Sequence, residues 1–464
     1  MSHRVARHTL ALALAPLTAF TVACGRSDAT AVEPPPTPPS RLELAVATPT
    51  GDTIVQRGVE LTLRFRDGAR ITSVRAWVDS GTPTQQPVRW PYDKWIPSGV
   101  DTLRLVALFP SAGRHTFTAT AYAVAGDSAA ATVERTFAFA ERTYGAAVLP
   151  DLGAGSQPLG INDGGEVVGW AAQPVGHVRA VRWHGGALSV IDTPDTVDAV
   201  ANRSNAAGDV LLTLGGLSPN APHTPMVRRA DGATFRLGPL YRDEQGGYRR
   251  YLCCSVAADL GEDRRAIASG ANFISPTTAG VYQSLVFDVA AGAAIDSSTS
   301  NLVLDGGPGR LVGQSIGGYS NLGRYLTTVG FTAPTISGLP RTVCDLPGRF
   351  SQTDPIDVAT DGTLLVRWCG NPALLPPTGA SVWLDRVFGA TTAIRMARSG
   401  GWVAALDSAG TLMTWRPGDR GPTVVRTTDG WRFDALGGIN AGGAIAAHAV
   451  QPSTGRGTTV VLAP

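Results

Sequence analysis

Residues 160–170 read GINDGGEVVGW, a glycine-rich turn that runs into an apolar strand. Glycine reaches positive φ at little cost, which suits a tight turn, and a valine pair is typical of a buried strand. The same order, a turn glycine and then an apolar pair, recurs along the C-terminal part of the chain. The turn glycines of these copies are Gly165, Gly208, Gly309, Gly362, Gly401 and Gly443, and Arg264 stands at this position in the third copy.

Successive copies lie 39 to 56 residues apart, and a second short strand follows most of them. A period of about 45 residues with several short strands per unit is the signature of a β-propeller. One small sheet cannot bury both of its faces alone, whereas sheets stacked around an axis bury one another. Residues 144–464 are therefore predicted to form a propeller of seven blades, with six or eight also compatible with the spacing. Residues 145–149 are expected to supply the outer strand that the last copy lacks.

Residues 41–142 carry a different pattern. Apolar and polar side chains alternate strictly over residues 59–65 and again over residues 115–122, which indicates strands with one buried face. About 100 residues with this strand spacing fit a β-sandwich. Residues 113–121, followed by Gly126 and Asp127, resemble the late strands of bacterial immunoglobulin-like domains. The predicted fold class is therefore all-β, an immunoglobulin-like β-sandwich followed by a β-propeller.

The repeat itself resembles a known family. Residues 160–170, preceded by LPDLG at 149–153, look like the HAF repeat of extracellular bacterial proteins, and residues 439–443 echo it. Asn205 keeps the asparagine of the repeat, which the other intermediate copies have mostly lost. The resemblance implies secretion and repeated β-blades, and it brings no settled chemistry.

The N-terminus has the pattern of a targeting segment. A basic start precedes an apolar run that is too short to span a bilayer, so residues 1–23 are predicted to be a signal peptide. Residues 21–24, TVAC, resemble the bacterial lipobox, which implies lipidation of Cys24; the alternative is an ordinary signal peptide with Cys24 in a disulfide. The proline-rich residues 24–40 predict a semi-rigid tether. The resemblance implies a cell-envelope lipoprotein, sorted to the outer membrane and facing the periplasm or the exterior, with the membrane as a partner.

The net charge and the lysine content of the chain argue against some classes of function. Removal of residues 1–23 takes Arg4 and Arg7 from the 39 basic residues and none of the 37 acidic ones, which leaves a net charge of zero. Nucleic-acid binding needs a strong basic footprint, so nucleic acid is not an expected partner. Lys94 is the only lysine, which argues against phosphate-binding P-loops and Schiff-base chemistry. No cofactor is predicted.

Four cysteines follow Cys24, in a compartment where disulfides persist. Cys344 and Cys369 flank a predicted strand and are candidates for a disulfide. Cys253 and Cys254 are adjacent, and a vicinal disulfide, free thiols and pairing elsewhere all stay open for them. Because neither a CxxC spacing nor a histidine cluster accompanies these cysteines, no metal site is predicted.

Catalytic patterns are weak in this sequence. Residues 313–317 match the G-x-S-x-G motif, but that motif needs a strand that leads into a helix, and here a repeat copy precedes it. Glycosidases need two facing carboxylates. The predicted propeller has three glutamates, Glu166, Glu244 and Glu262. Asp163 and Asp361 precede turn glycines, where aspartate favours a turn by bonding nearby backbone. No catalytic residue is predicted.

Aromatic and arginine residues in the longer segments are the candidates for binding. They are Trp90, Tyr92, Trp95, Tyr248, Arg250, Tyr251, Tyr319 and Arg324. Such aromatics stack on sugars or anchor a protein partner, and they also cover the edges of cores.

The leading hypothesis is a non-enzymatic, membrane-anchored surface lipoprotein whose propeller is a scaffold for a glycan or protein ligand. The alternative is an extracellular polysaccharide hydrolase or lyase with carboxylates at the mouth of the propeller channel. A structural envelope component is a third reading. Two carboxylates that face each other at one channel mouth would favour the enzyme.

Overall fold

The computed structural model describes residues 42–464 except 49–52, 66–67, 69, 84, 88–100, 109–111, 124–127, 195, 216–222, 238–255, 273–280, 299–300, 308–309, 321–322, 333–334, 337–352, 369–370, 379 and 453. Within this part the fold is all-β, with one five-residue helix, α1 (Leu384–Phe388). No helix in it is long and apolar enough to cross a membrane.

The N-terminal strands form two sheets, called the two-sheet unit below. One sheet has the order β1 (Leu42–Thr48), β3 (Gly58–Phe65) and β6 (Thr102–Leu108). The other has the order β2 (Thr53–Ile54), β8 (Ser128–Phe137), β7 (Gly113–Ala123), β4 (Ile71–Val78) and β5 (Gln86–Pro87). Both sheets contribute to one hydrophobic core, in which Val59 and Leu61 pack with Phe117 and Phe137. The alternation over residues 59–65 thus buries one face, as the sequence pattern predicts.

After β9 (Ala140–Val148), the chain forms antiparallel sheets, each from strands consecutive in sequence. Sheet 1 holds β10 (Ser156–Ile161), β11 (Val167–Ala172), β12 (Val178–His184) and β13 (Ala187–Val190), and sheet 2 holds β14 (Ala199–Ser204), β15 (Val210–Leu214), β16 (Thr224–Arg228) and β17 (Thr234–Arg236). Sheet 3 holds β18 (Val256–Leu260), β19 (Arg265–Asn272), β20 (Val281–Asp288) and β21 (Ala293–Ser298), and sheet 4 holds β22 (Asn301–Gly307), β23 (Arg310–Ser320), β24 (Gly323–Thr332) and β25 (Thr335–Ile336). Sheet 5 holds β26 (Thr353–Val358), β27 (Leu364–Trp368), β28 (Asn371–Leu375) and β29 (Val382–Trp383). Sheet 6 holds β30 (Ala393–Met396), β31 (Val403–Leu406), β32 (Leu412–Trp415) and β33 (Thr423–Thr427), and sheet 7 holds β34 (Arg432–Ile439), β35 (Ile445–Val450) and β36 (Gly457–Ala463).

These sheets close into a ring. The first strand of each sheet contacts the first strand of the next, and β34 of the last sheet contacts β10 of the first. The first strands are therefore innermost, and apolar side chains of neighbouring sheets pack between them, as Val168 does with Ala199 and Val210. Radial stacking of small antiparallel sheets is the architecture of a β-propeller.

Strand β9 joins two sheets of the ring. Its first half runs parallel to β33, with Ala140 opposite Thr423, and its second half runs antiparallel to β36, with Val148 opposite Val460. The prediction that residues 145–149 complete the last sheet is thus confirmed by the pairing. The same strand also extends sheet 6, which the sequence did not indicate.

The turn glycines have the backbone that the repeat implies. Those in the described residues, Gly165, Gly208, Gly362, Gly401 and Gly443, have φ between 69° and 85°, and Gly309 lies outside the described residues. Arg264, at the same position of the third copy, has φ 61° although it is not glycine. The third copy therefore retains the turn geometry although arginine replaces the glycine. Contacts of Arg264 must offset the cost of its positive φ.

The two-sheet unit packs against sheets 5 and 6 of the ring through the chain that enters β3. The Arg57 side chain is 3% exposed, and its Nη1 lies 2.9 Å from Asp407 Oδ2. The backbone N–H of Arg57 donates to Val387 O at 3.1 Å. A Cβ on Gly58 would lie 2.5 Å from Arg386 Cα, so this close approach requires glycine. The two parts of residues 40–464 therefore share an interface built on buried charge and close backbone contact.

Candidate functional site

The turns between the first and second strands lie together at one rim of the ring, called the turn rim below. Described turns of this rim are residues 162–166, 205–209, 261–265, 359–363, 397–402 and 440–444. In each, the first residue donates its backbone N–H to the carbonyl of the last, as Asn162 does to Glu166 at 3.0 Å. Because the first strands are innermost, the turn rim surrounds one mouth of the ring's centre.

The asparagine of the repeat links neighbouring turns of this rim. Its Oδ1 accepts a backbone N–H within its own turn, as Asn162 does from Glu166 at 2.9 Å. Its Nδ2 donates to a carbonyl of the next turn. Asn440 donates to Asn162 O at 3.3 Å, Asn162 to Asn205 O at 3.1 Å and Asn205 to Gly261 O at 3.3 Å. These side chains are buried, so the repeat asparagine is a structural link that crosses the seam between the last and first sheets.

Two acidic residues of the turn rim also bond to the turns of other sheets. Asp163 accepts the N–H of Ala441 at 2.9 Å and the hydroxyl of Ser399 at 2.7 Å. Glu262 accepts the N–H of Ala206 at 2.8 Å. The sequence predicts that Asp163 bonds nearby backbone, whereas Ala441 and Ser399 are distant from it in sequence. The prediction of a local bond does hold for Asp361, whose Oδ1 accepts the N–H two residues later at 2.8 Å.

Charged residues from opposite sides of the ring meet at its centre. Arg203 in sheet 2 lies 2.8 Å from Asp357 in sheet 5, and its Nε lies 3.9 Å from Asp259 in sheet 3. Arg398, beside sheet 6, also pairs with Asp259. Asp259 and Asp357 are only 1% and 4% exposed. Sheets 2 and 3 are neighbours, but sheets 2 and 5 are not, and neither are sheets 3 and 6. The Arg203–Asp357 and Arg398–Asp259 pairs must therefore cross the ring's centre, and the two arginines neutralise both buried carboxylates.

A shared position in the repeat explains this cluster. Arg203, Asp259 and Asp357 each stand two residues before the first residue of their turn, and Asp305 has the same register in sheet 4. A β-bulge precedes this position in most of the first strands. Bulges re-aim the following side chains, here toward the centre. The sequence reasoning missed these residues, although charges in otherwise apolar inner strands could have indicated them.

Glu262 is the acidic residue of the turn rim with a shifted pKa. Burial, and after it repulsion from Asp163 and Asp259, raises the pKa of Glu262 above its ordinary value of 4.5. The backbone bond from Ala206 and the charge of Arg398 oppose this shift. A carboxyl with a raised pKa that feels the charge of a second carboxylate is one feature of polysaccharide-cleaving sites.

The raised pKa gives a prediction for Glu262→Gln. A carboxyl whose pKa is raised on folding stabilises the fold when protonated, and this contribution is lost as pH rises through the folded pKa. Glutamine stays neutral and keeps an oxygen for the Ala206 N–H. The variant should therefore have a higher urea midpoint than the wild type at pH 7, and no advantage below pH 4.5.

Glu141→Gln is the control of opposite sign, because Arg426 lowers the pKa of the exposed Glu141. That variant should be slightly less stable than the wild type at pH 7. An equal or lower midpoint for Glu262→Gln at pH 7 would show that the carboxylate is not destabilised in the fold.

Most residues that the sequence marked for binding or bonding lie outside the described residues. These are Cys24, Trp90, Tyr92, Trp95, Tyr248, Arg250, Tyr251, Cys253, Cys254, Cys344 and Cys369. Tyr319 and Arg324 are brought together in the backbone, directly opposite each other near the end of the β23–β24 hairpin. In the described part of the chain, no group of three or more His, Cys, Asp or Glu residues is placed to hold a metal ion.

Comparisons with known proteins give a fold likeness alone. No protein-family model matches the chain, and no curated protein sequence matches it. Among solved structures, the β-propeller domain of the Trilobed protease from Pyrococcus furiosus, with an open velcro topology, has a TM-score of 0.38 and 10% identity, over 81% of this chain and 96% of that one. The tricorn protease has a TM-score of 0.38 and 10% identity over 88% of this chain, which spans 47% of the protease chain. A chain of the Mitotic Checkpoint Complex has a TM-score of 0.38 and 12% identity, over 69% and 91%. Similarity at this level assigns no activity to this chain.

Proposed function

We propose that this protein is a non-enzymatic surface lipoprotein that presents a β-propeller as a scaffold for binding a glycan or a protein. The ion pairs at the ring's centre carry the proposal. Asp259 and Asp357 are held by Arg203 and Arg398, so the carboxylates that could have lined a catalytic channel serve to join opposite sheets. A general acid or nucleophile must instead be free to meet substrate. The ring is then a rigid frame, and its rims and seams are the surfaces for binding.

The proposal includes a specific organisation of the chain. Residues 1–23 are a signal peptide, residues 24–40 a tether, and residues 41–142 an immunoglobulin-like sandwich. Residues 144–464 form a propeller of seven blades with HAF-like repeats, each ring sheet being one blade. The two-sheet core supports the sandwich, and the closed ring and the recurring turn support the propeller. The protein belongs to the bacterial cell envelope, as an outer-membrane lipoprotein.

One observation favours a different class of function. Glu262, with its raised pKa, lies within electrostatic reach of Asp163 at the turn rim. The second candidate is therefore a polysaccharide hydrolase or lyase with Glu262 as the protonated acid.

A panel of neutral and acidic glycans separates the two functions. The full chain, purified in detergent, is tested for binding and for release of reducing or unsaturated ends, beside Glu262→Gln. Binding without cleavage, unchanged in the variant, is the expected result. Cleavage that the variant loses would establish the enzyme instead, and absence of both binding and cleavage would contradict a glycan-binding scaffold.

The membrane anchor has its own test in Cys24→Ser. The lipid is attached through the cysteine thiol, so this variant should move from the membrane fraction to the soluble fraction of cells. Thr21→Leu is the matched control, because leucine is usual at the first position of the lipobox, and this variant should stay in membranes. Retention of Cys24→Ser in the membrane fraction would show that something other than this lipid holds the protein there.

A further inference from the structure

We propose that a pocket between sheets 1 and 2 binds the carboxylate of an acidic sugar. The pocket measures about 80 Å³ and is lined by Arg182 and Val190 of sheet 1 and by Gly208, Arg228 and Arg229 of sheet 2. The inference rests on the proposed scaffold function and names a site and a ligand class for it.

The pocket exists because one repeat position differs between two seams. In the seam between sheets 2 and 3, Arg264 places its guanidinium on the buried Asp209, at 2.7 and 3.0 Å. In the seam between sheets 1 and 2, Glu166 occupies the position of Asp209, and Gly208 occupies the position of Arg264. No arginine therefore fills this seam from the turn, and a pocket with Gly208 in its wall remains.

Glu166 shows the consequence of the missing arginine. It is 8% exposed, and its Oε1 has no hydrogen-bond partner among the described residues. By contrast, the equivalent Asp209 bonds to the side chains of Arg264 and Asn205 and to the N–H of Ala230. A buried acceptor without a partner is costly, so this seam retains an unpaired polar group next to a pocket that Glu166 does not itself line.

The arginines of the pocket favour an anionic ligand. Arg229 is paired with Asp231, but Arg182 and Arg228 have no carboxylate within hydrogen-bond distance in the part of the chain described. Arg182 Nη1 is 4.0 Å from Glu166 Oε2, and Arg228 donates to the Asp192 carbonyl at 3.4 Å. Two guanidinium groups on facing sheets suit a planar carboxylate, which accepts paired N–H donors.

The arginines define the ligand class. They need a carboxylate, and the proposed glycan-binding function supplies the sugar that would carry it. The pocket volume suits the carboxylate and the carbon that bears it, so the rest of the sugar would lie outside, along the seam.

The test compares D-glucuronate with D-glucose, which share a ring and differ in the carboxylate, by titration of the purified full chain. Glucuronate should bind, and glucose should bind at least about tenfold more weakly. Arg182→Ala and Arg228→Ala should each weaken glucuronate binding about tenfold or more. Inorganic sulfate should bind more weakly than glucuronate, because it has no sugar ring to contact the seam outside the pocket.

Gly208→Arg is the decisive variant. A Cβ at Gly208 would meet only Ala230 Cβ, at 3.4 Å, and Arg264 shows that this turn accepts arginine at φ 61°. The new guanidinium should enter the pocket, pair with Glu166 and abolish glucuronate binding while the melting temperature is kept or raised. Gly430→Arg is the matched control, since Gly430 has φ 65° and open space around it, and binding should be unchanged.

Three results would overturn the proposal: equal binding of glucose, equal binding of sulfate, or undiminished glucuronate binding in Gly208→Arg. If glucuronate fails to bind but the glycan panel still finds a ligand for the full chain, the pocket assignment is wrong and the scaffold function stands. If the panel finds no ligand and glucuronate does not bind, both fail.

Discussion

Replacing Arg57 by alanine should lower the free energy of unfolding by about 3–5 kcal/mol, because it leaves a buried carboxylate without its cation. Arg57 and Asp407 are 3% and 7% exposed, and their side chains meet at 2.9 Å. The Arg57 guanidinium also lies 2.8 Å from Met413 Sδ and 5.7 Å from the centre of the Phe139 ring. Urea unfolding, followed by tryptophan fluorescence, measures the loss.

Arg64→Ala is the matched control for this variant. Arg64 lies on β3 of the same unit but is exposed, so its loss should change the free energy of unfolding by no more than about 0.5 kcal/mol.

In Asp407→Asn the side-chain oxygen that accepts the N–H groups of Ala409 and Thr411 is kept. A double-mutant cycle of Arg57→Ala with Asp407→Asn should show a coupling of about 1–3 kcal/mol. A coupling near zero would contradict a direct contribution of the ion pair.

Several contacts join the two parts of residues 40–464. The two-sheet unit is joined to the ring by the Arg57 pair, by the 2.8 Å bridge between Glu60 and Arg386 and by strand β9. The Gly58 contact leaves no space for a side chain. These contacts favour one rigid body for residues 40–464.

The sequence predicted features that depend on local geometry. The turn at residues 160–170 needs glycine at positive φ and an apolar strand after it, and both are local demands that leave a pattern. Repetition of this pattern predicted the ring. The lack of an outer strand after the last copy, together with the apolar residues 145–149, predicted closure by β9.

Contacts between residues distant in sequence could not be predicted in the same way. Arg57 and Asp407 are 350 positions apart, and neither stands in a motif. The pairing of Arg203 with Asp357 depends on how many sheets the ring has and on a bulge in each first strand. The pocket beside Gly208 depends on which turns carry arginine at the position of Arg264. The sequence lists those residues, but only the structure shows which seam each one faces. These features belong to the assembly of the repeats and not to any one copy.

Asp209→Ala should destabilise the ring strongly, with a loss of about 3 kcal/mol or more. Asp209 is fully buried, and its carboxylate accepts from Arg264, from Asn205 Nδ2 at 3.2 Å and from the Ala230 N–H at 3.1 Å. These bonds also hold Arg264 at φ 61°, a backbone conformation that is unfavourable for any residue with a Cβ. Without the carboxylate, the strained turn loses the partner that offsets its strain.

Arg264→Gly tests whether the Asp209 carboxylate offsets the backbone strain at Arg264. Arg264→Gly in the Asp209→Ala background should recover part of the lost stability, because glycine adopts this φ freely. In the wild-type background the same substitution should destabilise the protein, since it removes both guanidinium bonds to Asp209. Asp231→Ala is the control for loss of an exposed aspartate from a pair with arginine, and it should change the unfolding midpoint little. If Arg264→Gly stabilised the wild type, the turn would be shown to keep arginine for a reason other than Asp209, and ligand binding at that seam would be the next property to measure.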